Sequence, residues 1–181
     1  LAAALLYVGS AAWQQERALS AQAQIAAQRG HTVERARMFP TVGNVFLWRS
    51  VYESNGVLHT DRIRAGSALT WKAGSSVALA HEAALAPELR ANERIVRDYR
   101  RFAHFSGGWV ARAVADPEVI GDARYSLSTE RFEPIWGIRF HPGRPVPTEW
   151  VDFTAKNRIP LADLWRELSG RDPEYRHLPK G

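Results

Sequence analysis

The chain of 181 residues has no cysteine and one methionine. Without thiols there is no disulfide, no zinc–thiolate site and no cysteine nucleophile. Long apolar runs are also missing. The most apolar stretch, LAAALLYVGSAAW from Leu1 to Trp13, falls short of the roughly 20 residues that cross a bilayer core. No glycine-rich loop has phosphate-cradling spacing, and none of the four asparagines opens an Asn-x-Ser/Thr sequon. Lysine is scarce: 21 of the 24 basic residues are arginine, in a chain rich in alanine. That bias follows coding composition. The net charge of +5 is therefore discounted as a pointer to a phosphate-bearing partner.

What is present begins with that opening stretch. A secretory signal wants a basic start, and no Lys or Arg precedes Arg17. The stretch reads instead as the lipid-side end of a membrane helix. Leu5, Leu6, Tyr7 and Val8 would sit in lipid, with Tyr7 and Trp13 at headgroup level. An ordinary amphipathic helix of a soluble fold is the alternative. Gln14 to Arg29 continues in Ala, Gln, Glu and Arg, all good helix formers, and Gly30 is a helix stop. The spacing predicts one helix from Leu1 to Arg29. The expected organisation is a membrane-helix end and stalk over 1–30, then a soluble domain over 31–181.

Strand patterns follow. Val45 to Glu53 and Val57 to Arg64 flank Asn55-Gly56, the strongest short hairpin signal. ALTWKAGSSVALA predicts one or two strands broken at Gly74. PELRANERIVRDYRRFAHF predicts a helix with Pro87 in its first turn and an apolar stripe through Leu89, Ile95, Val96, Tyr99, Phe102 and Ala103. Gly107-Gly108 ends it. GWVARAVA, EVIGDARYSL and EPIWGIRFH read as strands, Pro142, Pro145 and Pro147 as a loop, and PLADLWRELSG as a short helix closed by Gly170. This order implies an α+β fold. Its sheet is mainly antiparallel, a long amphipathic helix packs on one face, and an N-terminal stalk helix precedes it.

Catalytic signals are sparse. No two of the six histidines lie within twenty residues of each other. His81-Glu82 begins like a zinc-protease helix, but Leu85 stands where the second His is needed. Ser106, Ser75 and Ser76 sit in no nucleophile elbow. His59 and Asp61, two apart on one strand, share a face and form a candidate metal or base–orienter pair. A solvated hairpin face with a weak ion pair is the plainer reading. Arg90, Arg94, Arg97 and Arg101 fall at i, i+4, i+7 and i+11 and form a candidate lipid-facing stripe. Glu93 and Asp98 are placed to pair with it. Arginines also recur within strand patterns, at Arg49, Arg64, Arg124 and Arg139. Glu53, Asp61 and Asp122 are their candidate partners, or a concave arginine surface would take an anionic ligand. No nucleic-acid module is recognisable, so nucleic acid is disfavoured as a partner.

ARMFPTVGNVFLWRSVYES, then DARYSL and IWGIRFHPG, resemble the C-terminal soluble region of a bacterial family of inner-membrane-associated metal-dependent hydrolases, whose name also mentions LexA binding. The resemblance covers about Ala36 to Gly143, in patches. Its Pro-Thr-x-x-Asn-x-x-Leu-Trp-Arg element falls on Pro40, Thr41, Asn44, Leu47, Trp48 and Arg49. Its Asp-x-Arg-Tyr element falls on Asp122, Arg124 and Tyr125. The resemblance implies an accessory domain that binds, senses or positions a small anionic ligand through Asn44, Trp48, Arg49, Asp122 and Arg124. Its partners would be its own membrane domain and the bacterial inner membrane, with the membrane face undetermined. The family's metal-holding His and Asp belong to its membrane-embedded part, and nothing here matches them. No metal or cofactor is therefore expected in this chain, and any divalent metal belongs to that membrane part. A self-contained metal-dependent hydrolase using His59 and Asp61 is one alternative. A lipid-facing scaffold through the arginine stripe is another.

Overall fold

The computed structural model describes residues 2–41, 44–126, 128, 132–154 and 161–178. Helix-forming residues fill the first segment, which is the helix α1 (Ala2–Gln28). Four strands follow: β1 (Arg35–Pro40), β2 (Leu47–Ser54), β3 (Val57–Ala65) and β4 (Leu69–Ala78). A 3₁₀ turn (Glu82–Ala84) leads to α2 (Pro87–Arg90) and α3 (Glu93–Phe105). Next come β5 (Val110–Arg112), β6 (Val119–Asp122), β7 (Trp136–Phe140), β8 (Thr148–Asp152), α4 (Leu161–Ser169) and β9 (Arg176–His177). Leu1 and Pro160, expected as first residues of their helices, lie outside the described residues. The fold is α+β, with two antiparallel sheets in the orders β1-β2-β3-β4-β9 and β5-β6-β7-β8.

Local chemistry explains the boundaries. The β2–β3 hairpin turns at Asn55 (φ 52°) and Gly56 (φ 70°), the paired positive φ values of a type I′ turn. Three helices end the same way. Gly30 donates to Ala27 and His31 to Ala26; Gly107 donates to His104 and Gly108 to Ala103; Gly170 donates to Glu167 and Arg171 to Arg166. Each is a Schellman closure around a left-handed glycine.

The chain divides into two units. The first comprises Leu1–Asn55, His59–Ser75 and Ile159–Gly181. Here α1 packs through Ala18, Ala21 and Ile25 against Met38, Trp48, Ile63, Ala65 and Leu178. Gln14, Ala18, Ala21, Gln22, Ile25 and Ala26 are its buried residues, one face at i, i+4, i+7, i+8, i+11 and i+12. Gln22 is buried yet satisfied, since its Nε2 donates to Ser50 Oγ at 2.7 Å and to the Val51 carbonyl at 3.2 Å. The second unit comprises Gly56–Leu58 and Ser76–Arg158. Its core gathers Ala80, Leu85, Tyr99, Phe102, Val110, Ile120 and Ile138.

Several details differ from the sequence expectation. The later part of α1 is a docked helix rather than a free polar stalk, because alanine and glutamine supply the buried stripe. β2 begins at Leu47, not Val45, because Asn44 Oδ1 accepts from the backbone N–H of Phe46 (2.9 Å) and Leu47 (2.7 Å) and holds a turn there. β4 runs unbroken through Gly74, whose N–H donates to Asp61 Oδ1 at 3.2 Å. The expected long helix from Pro87 is two helices. Asn92 caps α3 by accepting from Arg94 N (3.1 Å) and Ile95 N (3.4 Å). β8 occupies a stretch that no pattern assigned, and it pairs with β7 from Trp136↔Asp152 to Phe140↔Thr148.

Gly137 on β7 sits so close to β6 that an added Cβ would lie 2.6 Å from both the Ile120 carbonyl oxygen and Val119 Cγ1. Gly137→Ala is expected to cost about 2 kcal/mol through this overpacking. Gly143→Ala, with nothing within 4 Å, is expected to be neutral within about 0.5 kcal/mol. Urea unfolding of both variants checks the contrast.

Candidate functional site

The first unit holds a cluster built from three elements and the turn after α1. The Schellman closure sets Arg29 and His31 beside the sheet. Tyr52 is supplied by β2, His59 and Asp61 by β3, and Trp71 by β4. Asp61 is buried, and Arg29 grips both its oxygens, at 2.7 and 2.9 Å. The Arg29 Nη1 also donates to the Tyr52 hydroxyl at 2.9 Å, and its guanidinium lies 5.2 Å from the Trp71 ring centre. The Tyr52 hydroxyl is 2.9 Å from His31 Nδ1. Guanidinium only donates, so the Tyr52 hydroxyl accepts from Arg29 and shares a second hydrogen bond with His31 Nδ1. The rings of His31 and His59 are 4.2 Å apart, and those of Tyr52 and His59 are stacked at 5.0 Å.

The electrostatics follow from this packing. Burial first, then the nearby His31 and Arg29, pushes the His59 imidazole below its usual value, against the pull of Asp61. Burial also raises the Tyr52 hydroxyl, against the pull of Arg29. Burial alone would lower Arg29, but its bonds to Asp61 and Tyr52 outweigh that and raise it. The cluster therefore holds two imidazoles in tilted contact beside one compensated guanidinium. Sequence reasoning named His59 and Asp61 but missed Arg29, His31 and Tyr52. Two basic residues around a glycine helix stop were the available signal, since cations favour a helix C-terminus. The His31–His59 contact is tertiary and left no mark in sequence spacing. The solvated-face reading of His59 and Asp61 is corrected, because Asp61 is buried in a bidentate ion pair.

The residues named by the resemblance have local partners. Asn44 holds its turn and donates to Thr41 Oγ1 at 2.8 Å. Trp48 is buried and donates its indole N–H to the Val45 carbonyl at 3.0 Å. Arg49 is buried on β2. These three belong to the first unit, while Asp122 and Arg124 belong to the second. Asp122 is fully buried. Arg124 binds it through Nε at 3.0 Å and Nη2 at 2.7 Å. Arg124 Nη2 also reaches the Phe105 carbonyl at 2.8 Å, at the C-terminal end of α3. The hydrogen bonds to Asp122 raise the Arg124 guanidinium above its usual range.

The other strand arginines are also engaged. Arg64 donates from Nε to the Leu168 carbonyl at 3.0 Å, which ties α4 to β3. Arg139 pairs with Asp116 and faces Glu149. Of the expected carboxylate partners, Glu53 pairs with Arg35, Asp61 with Arg29 and Asp122 with Arg124.

The arginine stripe is redistributed by the helix break. Arg90 lies on α2, and Arg94, Arg97 and Arg101 lie on α3. Arg90, Arg97 and Arg101 line one open groove with Arg100, His104, Glu82, Glu93 and Val96. Arg94 instead donates to the Pro145 carbonyl at 3.0 Å.

Among the described residues, no three His, Asp or Glu side chains converge as a metal site. Both Asp61 oxygens are held by Arg29, so the His59–Asp61 pair does not fit a metal. Among the described residues, no helix is long and apolar enough to cross a membrane. Comparisons with protein-family models, with curated proteins and with solved structures return no match.

Two outcomes test this geometry. Folded His59 titrates below the unfolded value of 6.5, so the stability it contributes is complete above 6.5 and is lost as pH falls through the lowered folded value. The urea midpoint is expected to drop between about pH 7 and about pH 5, and His59→Gln is expected to flatten that drop. Arg124→Met strands a buried carboxylate and is expected to cost about 3 kcal/mol, measured by the same unfolding.

Proposed function

We propose that this chain is an α+β domain held at the bacterial inner membrane by the apolar end of α1. There it serves a metal-dependent hydrolase of the family it resembles as a binding or positioning domain. The observation that carries this reading is the division of α1. Leu5, Leu6, Tyr7 and Val8 are each more than half exposed, with Leu6 at 75%. Four consecutive helical residues point around most of the circumference, and all four stay more than half exposed although Tyr7 and Val8 border a hollow with Pro40, Val45 and Trp48. From Gln14 onward one face is buried against the sheet. A helix that is apolar all round and bare at one end suits lipid there and protein at the other. Trp13 is exposed at the junction with Arg17 4.7 Å from its ring, an aromatic–cation pair suited to headgroup level.

Within this proposal α3 packs as an amphipathic helix on one face of the second sheet. The cluster of Tyr99 and Phe102 with Val110, Ile120 and Ile138 supports that. Any divalent metal is held by the membrane-embedded partner, and this domain contributes binding through its arginines to a small anionic ligand.

Transfer of each apolar side chain from water to hydrocarbon is worth about 1.5–3 kcal/mol. The chain is expected to float with neutral phosphatidylcholine vesicles. Leu5→Ser, Leu6→Ser and Val8→Ser together are expected to weaken that binding by about a hundredfold. A wild-type chain that stays with the soluble fraction contradicts the proposal.

A further inference from the structure

The outer face of α3 carries cations that its carboxylates do not balance. Glu82 is consumed by Arg100 through bonds of 2.7 and 2.8 Å. Asp98 accepts from Thr148 at 2.9 Å and lies 3.8 Å from Arg101. Arg90 and Arg97 face the groove, and among the described residues no carboxylate is bound to either, while the Arg94 guanidinium donates to the Pro145 carbonyl. Arg144 adds a sixth exposed arginine on the loop that Arg94 touches. Against six arginines this surface sets five carboxylates, Glu82, Glu88, Glu93, Asp98 and the Glu149 that faces Arg144, which leaves one positive charge.

The same surface exposes apolar groups. Phe105 is 54% exposed, Trp150 55% and Val146 71%. Phe105 and Trp150 meet edge to face at 6.3 Å, and Trp150 meets Phe102 in the same way at 5.9 Å. Arg124 lies 5.5 Å from the Phe105 ring centre. These rings are committed to one another and to a guanidinium, so they do not form an open stacking platform for nucleobases. The groove is open, with its guanidinium groups spread along a helix, which suits many phosphate esters in a plane better than one enclosed anion. Aromatic and aliphatic side chains beside spread arginines match a bilayer surface, where apolar groups lie just beneath charged headgroups.

We infer that the outer face of α3, with the loop around Arg144 and Val146, docks on anionic phospholipid headgroups. This deepens the membrane reading above by naming a lipid class. It also stands on residues independent of α1.

The test is vesicle flotation of the full chain. Vesicles are neutral phosphatidylcholine with or without phosphatidylglycerol, at about 0.05 M and about 0.5 M salt, where screening differs strongly. Added anionic lipid is expected to tighten wild-type binding by about tenfold at low salt, and high salt is expected to remove that gain. Arg97→Glu with Arg101→Glu is expected to abolish the gain while binding to neutral vesicles persists. Arg97→Gln with Arg101→Gln, which keeps the helix polar, is expected to lose part of it with an unchanged melting temperature. The serine variants at Leu5, Leu6 and Val8 separate the two readings, because they should lose neutral binding and keep the anionic gain. The proposal is overturned if the wild type shows no anionic gain, or if the gain survives the charge reversal. It is also overturned if inorganic phosphate or a single-stranded oligonucleotide displaces the chain from anionic vesicles at equal charge.

Discussion

The buried ion pair of Arg29 with Asp61 is the interaction on which the first unit depends. Asp61 on β3 is almost inaccessible, and a carboxylate there is tolerable only when fully bonded. It receives two bonds from Arg29 and one from the Gly74 N–H, so a single carboxylate ties α1, β3 and β4 together. The same guanidinium donates to the Tyr52 hydroxyl, which in turn hydrogen-bonds His31 Nδ1. The contact between His31 and His59 is thus a consequence of how α1 is anchored. A cation at a helix C-terminus is also favoured by the helix dipole, so anchoring and helix termination reinforce each other.

That anchor gives the apolar end of α1 a fixed base. Small residues, Ala18 and Ala21, let the helix lie close against Met38 and Trp48, and Gln22 bonds into the strands without needing water. Before this docked stretch the helix exposes Leu5, Leu6, Tyr7, Val8 and Trp13. A soluble domain gains nothing from four bare apolar residues in a row, whereas a domain held at a bilayer does. The proposed lipid contact of the second unit rests on different chemistry, the arginines and aromatic edges of α3.

Features set by neighbouring residues were legible in the sequence. The Asn55-Gly56 turn, the glycine helix stops at Gly30, Gly107 and Gly170, and the pairing of Asp122 with Arg124 depend on residues within a few positions. Features set by tertiary neighbours were not. The buried stripe of α1 reads as polar because its apolar surface comes from alanines and the stems of glutamines. The break before α3 depends on the cap bonds of Asn92, which the apolar stripe does not register. β8 owes its strand form to pairing with β7, because its own residues alternate too weakly to announce it. The cluster at Arg29 was half legible. Strand alternation put His59 and Asp61 on one face, but their partners come from a helix end about thirty residues earlier in the chain.

The most direct test of the two-part helix is amide hydrogen exchange along α1, with and without phospholipid vesicles. The account predicts that residues 14–28 are protected in both conditions, and that residues 2–13 exchange quickly in solution and gain protection on vesicles. Equal exchange of residues 2–13 in both conditions would contradict a membrane role for the apolar end of α1. Fast exchange of residues 14–28 in solution would contradict the anchor itself.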